Sequence, residues 1–217
     1  MSLSIQSSFL YCNELMCLKH VGKKISLLFI VMTLFSISGF TYSERFKLNR
    51  QLSLIKIYGH STMHDWTINA EDMNGTMLAE VELNELKKID SVQIKIPVIS
   101  LKSGKSGMDE HVYKTLKQEQ FPEIKYKMNY YTIENSQMNV TGQLTIAGVS
   151  RDVTTIVYYN SGEAYLKFGG KLDVFMSQYN LKPNELLFGA LKTTDKVTIR
   201  FMLYFNASDE QISNLKK

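Results

Sequence analysis

The chain of 217 residues is long enough for one large domain or two small ones. Hydrophobic residues make up 44% and charged residues 21%, which excludes a disordered protein, and only 3 prolines and 12 glycines exclude a collagen-like or proline-rich one. The formal net charge of +4, with no block of basic residues, gives no basis for nucleic-acid binding.

The first predicted element is an export signal. Lys19, Lys23 and Lys24 precede an uncharged apolar run over residues 25–40, shorter than the roughly 20 residues that span a bilayer as a helix. A basic segment, a short apolar segment and then small residues are typical of a secretory signal peptide, here ending at Ser43. The alternative is an uncleaved membrane anchor.

Residues 1–43 are therefore interpreted as a signal peptide and residues 44–217 as one exported domain, periplasmic or extracellular. A start at Met16 would give a more conventional basic segment. Both cysteines, Cys12 and Cys17, precede the apolar run, whereas a lipoprotein would need a cysteine after it. The cleaved domain would have no disulfide, no thiol nucleophile and no cysteine-based zinc site.

From residue 53 onward the sequence alternates between apolar and polar residues, which is typical of strands with one buried face. The predicted strands cover residues 52–59, 62–70, 77–83, 92–98, 124–130, 138–146, 152–159, 164–168 and 197–205. Turns are predicted at Asn74-Gly75, Asn135-Ser136, Ala147-Gly148 and Ser161-Gly162. Long strands with short polar turns indicate an antiparallel meander, which must close into a barrel or pair with a second sheet to bury its apolar face.

One segment departs from this alternation. Met108, Val112 and Leu116 are spaced by four residues, which predicts an amphipathic helix near residues 108–118. Phe121-Pro122 would end it. A single short helix between strands would cover one mouth of a barrel.

No catalytic site is evident. The sequence has no GxSxG, glycine-rich phosphate loop or HExxH motif. His60 and His64, on one extended strand, would lie about 13 Å apart, too far to share a metal ion. Asp109, Glu110 and His111 are adjacent on the helix and fan out around it, so helix capping accounts for them better than catalysis. We therefore expect no catalytic residue, no metal, no cofactor and no enzymatic activity.

Five segments carry a family resemblance: residues 60–66 (HSTMHDW), 99–104 (ISLKSG), 108–117 (MDEHVYKTLK), 122–126 (PEIKY) and 140–151 (VTGQLTIAGVSR). In this order they resemble the YceI-like family of secreted, polyisoprenoid-binding, lipocalin-like proteins. The resemblance implies an all-β fold, a single antiparallel eight-stranded lipocalin-like barrel with one short helix beside it. It also implies binding of an amphiphile with a long apolar tail, such as an isoprenoid quinone or a polyprenyl lipid, inside the barrel.

The predicted inward faces mix small and large residues, and small residues would leave room for a lipid chain to pass between large ones. Methionines can repack around an irregular tail. The residues expected to bind the ligand are Trp66, Met77, Val81, Ile94, Ile96, Val112, Leu116, Tyr126, Met128, Leu144, Leu166, Phe168, Phe201 and Leu203. For Trp66, a purely structural role in the core is an equal alternative.

The favoured function is a secreted or periplasmic protein that sequesters or carries such a lipid. The alternative is a non-catalytic secreted interaction module with a solid barrel core, for which residues 181–191 would offer an apolar surface, unless that segment only closes the barrel. The expected partner is a lipid or other amphiphile, with no nucleic acid and no stable membrane span after signal cleavage. A homodimer is left open.

The exported protein is expected to begin at or near Glu44, because the basic, apolar and small-residue segments end at Thr41-Tyr42-Ser43. N-terminal sequencing of exported material measures this directly. A mature protein that retains residues 25–40 would instead be membrane-anchored.

Overall fold

The computed structural model describes residues 43–134, 137–162, 165–182, 185–186 and 191–207. These residues all lie in one of the two units into which the chain divides, Ser43–Lys217. They form one α-helix, α1 (Ser106–Thr115), two short 3-10 helices (Val98–Ser100 and Met176–Tyr179) and thirteen strands. The strands are β1 (Glu44–Leu48), β2 (Leu54–His60), β3 (Asp65–Ala70), β4 (Asn74–Glu82), β5 (Glu85–Pro97), β6 (Leu101–Lys102), β7 (Glu123–Glu134), β8 (Gln137–Ile146), β9 (Val149–Gly162), β10 (Tyr165–Phe175), β11 (Glu185–Leu186), β12 (Leu191–Lys192) and β13 (Lys196–Ala207).

Eight of the described strands close an antiparallel barrel in the order β1-β4-β5-β7-β8-β9-β10-β13, because β13 pairs back onto β1. The predicted eight-stranded barrel with one short helix is thereby confirmed. The prediction missed β1, which completes the ring, since its five residues precede the long alternating runs. Closure removes the exposed edges that an open sheet of these strands would present.

Strand β13 has two partners on one side. Its C-terminal end pairs with β1, from Leu48↔Phe205 to Phe46↔Ala207, while its N-terminal half pairs with β2, from Met202↔Leu54 to Thr198↔Tyr58. The sheet next to β13 therefore continues into β1 at one end of the strand and into β2 at the other. Beyond this point β2, β3 and β6 continue the sheet outside the closed ring.

The division between β1 and β2 is fixed by a polar turn. The Asn49 side-chain oxygen accepts the backbone N–H groups of Gln51 and Leu52, at 3.1 and 3.2 Å. The Asn49 backbone N–H donates to the Tyr204 carbonyl at 2.7 Å, and the Tyr204 N–H donates to the Ser53 hydroxyl at 3.0 Å. An asparagine that turns the chain through its side chain thus joins both strands to β13.

The alternation places side chains on the predicted faces along most strands. On β7, Met128 is buried and Lys127 is exposed, as strand parity requires. On β8, Met138, Val140 and Leu144 are all buried. Met128, Met138 and Val140 belong to the larger apolar cluster of the barrel interior, whereas Leu144 belongs to a second cluster with Val174 and Tyr179.

A bulge overturns one assignment on β7. The predicted inward set included Tyr130, yet Tyr130 is 61% exposed and Tyr131 takes the inward position. The register shifts between Met128 and Tyr130, so Asn129 is the extra residue and both Asn129 and Tyr130 face solvent. A single inserted residue reverses the parity of all residues that follow it, and apolar alternation alone does not locate it.

Two turn assignments also change. Asn74-Gly75 opens β4 and is not a turn. The β4–β5 turn lies at Leu83-Asn84, both with positive φ (51° and 66°), as in a two-residue type I′ hairpin. Leu83 was assigned to the strand because it continues the apolar alternation, but it is 92% exposed. Ala147-Gly148 forms the predicted β8–β9 turn. Asn135-Ser136 lies outside the described residues, and Ser161-Gly162 belongs to β9.

Glycines on the inward face do not leave open space, contrary to the expectation from composition. A Cβ atom at Gly142 would lie 2.4 Å from the Tyr126 hydroxyl, and one at Gly170 would lie 2.7 Å from the Phe201 ring. Aromatic rings from neighbouring strands occupy the room that each missing side chain provides. These two glycines therefore add no open space to the barrel interior.

Two adjacent glycines on β10 test this packing. Gly170→Ala would place its Cβ 2.7 Å from Phe201 and 2.8 Å from the Ile156 carbonyl, a backbone atom that cannot move freely. We expect the free energy of unfolding to fall by about 1–3 kcal/mol, measured by urea denaturation. In Gly169→Ala the closest heavy atom would lie at 3.8 Å, and the reduced entropy of the unfolded chain should leave stability unchanged or raise it by up to about 1 kcal/mol. Equal effects in both variants would contradict the ring-filling account.

Candidate functional site

A cavity of about 430 Å³ lies between α1 and the barrel end formed by the start of β13 and the end of β10. Its walls come from the β2–β3 extension, from α1, and from the segment after β10. The residues that line it are Ile57, Ser61, Met63, His64, Trp66, Ile68, Leu101, Lys105, Met108, His111, Val112, Thr115, Leu116, Ile124, Ile146, Val174, Met176, Tyr179, Leu181, Lys182, Thr193, Val197 and Ile199.

Strand pairing builds the apolar wall of the cavity. Ile199 on β13 pairs directly with Ile57 on β2, which pairs with Ile68 on β3, so three isoleucines form one row across the extension. Val174 on β10 pairs with Val197 on β13 beside this row. Each of these residues lines the cavity because strand parity turns alternate side chains to the same face.

Helix α1 supplies the facing wall. Met108, Val112 and Leu116, the predicted apolar stripe, all line the cavity and pack against the core. The opposite side of the helix is held by Tyr113, whose hydroxyl donates to the carbonyls of Ile99 and Leu101 and receives a hydrogen bond from Lys102 at 2.6 Å. The stripe and this anchor together fix the helix over the barrel end.

The loop before α1 is fixed by Asp109. Its carboxylate accepts the Ser103 hydroxyl at 2.6 Å and the Ser103 backbone N–H at 2.7 Å. The expected helix capping by Asp109 is therefore wrong, because the N-cap position is Lys105, without a side-chain capping bond, and Asp109 binds the preceding loop. These two hydrogen bonds hold the pKa of the Asp109 carboxyl below its usual range. Their contribution to stability is present above the ordinary pKa of the carboxyl and is lost as the pH falls through the lowered value in the folded state.

Tyr179 contributes a deeply buried side chain to the cavity wall. It is 1% exposed, and its hydroxyl is buried without a hydrogen-bond partner in the described part of the chain. Burial raises the pKa of the Tyr179 phenol, and Arg151 opposes that shift. Burial of a phenol without a hydrogen-bond acceptor costs free energy. The packing of the Tyr179 ring therefore has to offset this cost.

The polar lining residues lie at the rim. Lys105, His64, His111 and Lys182 are exposed, whereas Ser61 and Thr193 form an isolated bridge between the β2–β3 connection and the segment before β13. Asp65, at the start of β3, contacts His60 at the end of β2, with 2.5 Å between the Asp65 carboxylate and Nδ1.

Of the fourteen residues expected to bind the ligand, Trp66, Val112 and Leu116 line this cavity. The other eleven lie outside its lining: Met77, Val81, Ile94, Ile96, Tyr126, Met128, Leu144, Leu166, Phe168, Phe201 and Leu203. They belong to the apolar clusters of the barrel interior, where burial raises the pKa of Tyr126 to about 12. Alternation identified the inward face of each strand but not the position of each residue along the barrel axis.

Several lining residues were not among the predicted ligand contacts. Ile57, Val197 and Ile199 lie on predicted strands with the correct parity, so their orientation was available from the pattern. Met176, Tyr179 and Leu181 follow β10 without strand alternation, and the sequence gives no signal that they reach the cavity. Leu181 begins the apolar 181–191 segment noted in the sequence, of which residues 183–184 and 187–190 lie outside the described residues.

Within the described ranges, no group of three or more His, Cys, Asp or Glu side chains is placed to hold a metal ion. In the same ranges, no helix combines the length and apolar character needed to cross a membrane.

Two tyrosines test whether the Tyr179 hydroxyl is unpaired. Tyr179→Phe should leave the free energy of unfolding unchanged or raise it by up to about 1 kcal/mol, because an unpaired buried hydroxyl is removed. Tyr131→Phe should lower it by about 1–2 kcal/mol, because the Tyr131 hydroxyl accepts the N–H of buried Ile89 at 3.0 Å. Denaturant titrations of both variants measure the difference. A loss in Tyr179→Phe as large as in Tyr131→Phe would mean that the hydroxyl has a partner.

Comparisons with known proteins agree with this architecture. Among solved structures the chain is similar to BcnA of Burkholderia cenocepacia, with 20% identity, a TM-score of 0.63, and coverage of 72% of this chain and 98% of that one. It is also similar to a polyisoprenoid binding domain from Saccharophagus degradans implicated in plant cell wall breakdown, with 12% identity, a TM-score of 0.56, and coverage of 75% and 98%. A YceI protein of Campylobacter jejuni matches with 18% identity and a TM-score of 0.53, over 65% of this chain and 85% of that one.

These likenesses show the fold alone, because the identities are low. No curated protein matches the chain. The family model of the YceI-like domain matches residues 46–205, which includes six strands of the closed barrel in full and most of β1 and β13. The chain therefore belongs to the YceI-like domain family.

Proposed function

We propose that this protein is exported and binds an amphiphile with a long apolar tail, such as an isoprenoid quinone or a polyprenyl lipid, with the tail in the cavity beneath α1. The observation that carries the proposal is this cavity, which has an apolar wall and polar groups at its rim. One of the similar structures is a polyisoprenoid binding domain, which supports the choice of ligand class. The proposed role is binding and transport, with no cofactor and no chemical step.

The size of the cavity limits the length of tail that it encloses. Its volume of about 430 Å³ lies within the range of roughly 300–1,000 Å³ for small-molecule pockets. If a methylene group occupies about as much space as a liquid water molecule, roughly 30 Å³, the cavity holds on the order of three isoprene units. A longer tail would extend beyond the rim.

The apolar contribution is sufficient for binding. Burial of each methylene group gains about 0.8 kcal/mol, so an enclosed isoprene unit gains roughly 3–4 kcal/mol. Three units gain on the order of 10 kcal/mol, within the estimated cost of about 4–15 kcal/mol for association. A tail of this length is therefore close to the minimum that binds, and shorter tails should bind weakly.

The alternative, an interaction module with a solid core, fits only one half of the barrel. The glycine–aromatic pairs fill the places of missing side chains, as at Gly142 with Tyr126. The other end retains the cavity, and a protein partner would have no use for an enclosed apolar volume. The lipid-binding proposal therefore accounts for more of the structure.

Trp66 allows a direct test, because it is the only tryptophan in the chain and it lines the cavity. Titration with farnesol, a neutral alcohol of three isoprene units, should change the intensity or wavelength of Trp66 emission and saturate. An aliphatic alcohol with a short tail is the control and should produce little change at equal concentration. If farnesol produces no saturable change, and none appears by calorimetry, the lipid-binding proposal is wrong.

Helix α1 should govern how fast the tail leaves. The double variant Val112→Ser/Leu116→Ser removes two apolar side chains from the cavity wall. If the farnesol complex is thereby destabilised by about 1 kcal/mol, farnesol release becomes about fivefold faster. Stopped-flow Trp66 fluorescence measures the rate, and circular dichroism checks that the strands persist.

The matched control is Glu110→Ser with Lys114→Ser, two exposed residues of α1 that do not line the cavity. This pair should leave the release rate unchanged. Equal rates in the two double variants would mean that the apolar stripe does not hold the tail.

A further inference from the structure

We propose that the cavity prefers amphiphiles with an anionic head group, a phosphate or a carboxylate, held at the rim by Lys105 and Lys182. This inference rests on the proposed function and deepens it, since it concerns the head group of the same ligand. It would favour a prenyl phosphate over a quinone.

The charged side chains that line the cavity have one sign. They are two lysines, Lys105 and Lys182, and two histidines, His64 and His111, all exposed at the rim. No aspartate or glutamate is among the described lining residues. The chain as a whole is nearly balanced, with 25 basic and 21 acidic side chains, so a lining without any carboxylate is a local departure from the composition.

The four basic side chains are also free to act. None of them has a side-chain hydrogen bond or ion pair among the described residues, whereas Lys88, Lys102 and Lys196 are engaged by Asp90, Tyr113 and Asp173. The two lysines therefore remain available to an external anion. They come from different elements of the cavity wall, since Lys105 immediately precedes α1 and Lys182 follows the 3-10 helix at Met176–Tyr179.

The carboxylates closest in sequence to the rim are mostly engaged by other partners. Asp65 contacts His60, Asp109 accepts both hydrogen bonds from Ser103, and Asp195 accepts the Ser177 hydroxyl and backbone N–H. Glu110 is exposed beside His111 on α1 and does not line the cavity. Among the side chains that the structure describes, those that line the mouth are therefore basic without an acidic counterpart.

The division between interior and rim fits an anionic amphiphile. The isoleucine and valine rows offer a head group no hydrogen bond, whereas the lysines lie at the mouth and attract an anionic head there. Lysine binds phosphate as a compact point charge and needs no fixed geometry. In water-like surroundings each ammonium about 4 Å from a phosphate raises affinity about fivefold.

The test compares farnesol with farnesyl monophosphate, which share one tail and differ in the head group, by Trp66 fluorescence on the full protein. We expect the monophosphate to bind on the order of tenfold more tightly than the alcohol at low ionic strength. Raising the ionic strength from about 0.01 to about 0.15 M shortens the screening length from roughly 30 to 8 Å and should reduce this ratio.

The double variant Lys105→Gln/Lys182→Gln should lose most of the preference, measured as the ratio of its own affinities for the monophosphate and for farnesol. Its matched control, Lys127→Gln/Lys171→Gln, changes the net charge equally at two exposed lysines that do not line the cavity, and it should keep the preference. If both double variants lose it equally, the net charge is responsible and the rim assignment is wrong.

The outcomes separate the two proposals. Equal affinity of the parent protein for alcohol and monophosphate would overturn the head-group preference while the lipid-binding function stands. Absence of binding by either compound would overturn the proposed function, and the head-group preference with it.

Discussion

The dual pairing of β13 is the constraint on which the rest of the structure depends. One edge of this strand bonds to β1 near residue 205 and to β2 near residue 200, and the Asn49 turn separates the two partners. The first pairing closes the barrel and the second directs β2 and β3 away from it. If one continuous strand replaced β1 and β2, the wall would stay on the barrel, and the space beneath α1 would lose the isoleucine row formed by Ile199, Ile57 and Ile68.

The two ends of the molecule differ because different elements fill them. In the closed half, rings from neighbouring strands occupy the places of missing side chains, as Phe201 does at Gly170, and an eight-stranded barrel is narrow enough for this to fill it. At the other end the covering element is a helix, and its stripe of Met108, Val112 and Leu116 meets the sheet across a gap of about 430 Å³.

Hydrogen bonds to α1 and to the loop before it determine which side chains face the cavity. Tyr113 and Asp109 fix α1 and its preceding loop through hydrogen bonds on the sides that do not face the cavity. The cavity-facing side is thereby left to apolar groups, and charge appears only at the rim. The site thereby combines an apolar interior with exposed lysines, and the proposed binding of a tail and a head group depends on this arrangement.

The sequence by itself determined the strands, the helix and the inward face of most strands, because both periodicities are local. The need to bury one face left a barrel or two packed sheets, and the family resemblance favoured the barrel. It located Trp66, Val112 and Leu116, whose positions beside the barrel mouth follow from the helical stripe and the first hairpin. It did not locate the Asn129 bulge or the Leu83-Asn84 turn, since apolar residues there imitate uninterrupted strand. Only the tertiary structure decided which inward residues line space and which are packed. The alternation along a strand determines whether a side chain points inward or outward. Its position along the barrel axis, and the aromatic ring that packs against it, depend on the register between strands that are distant in sequence.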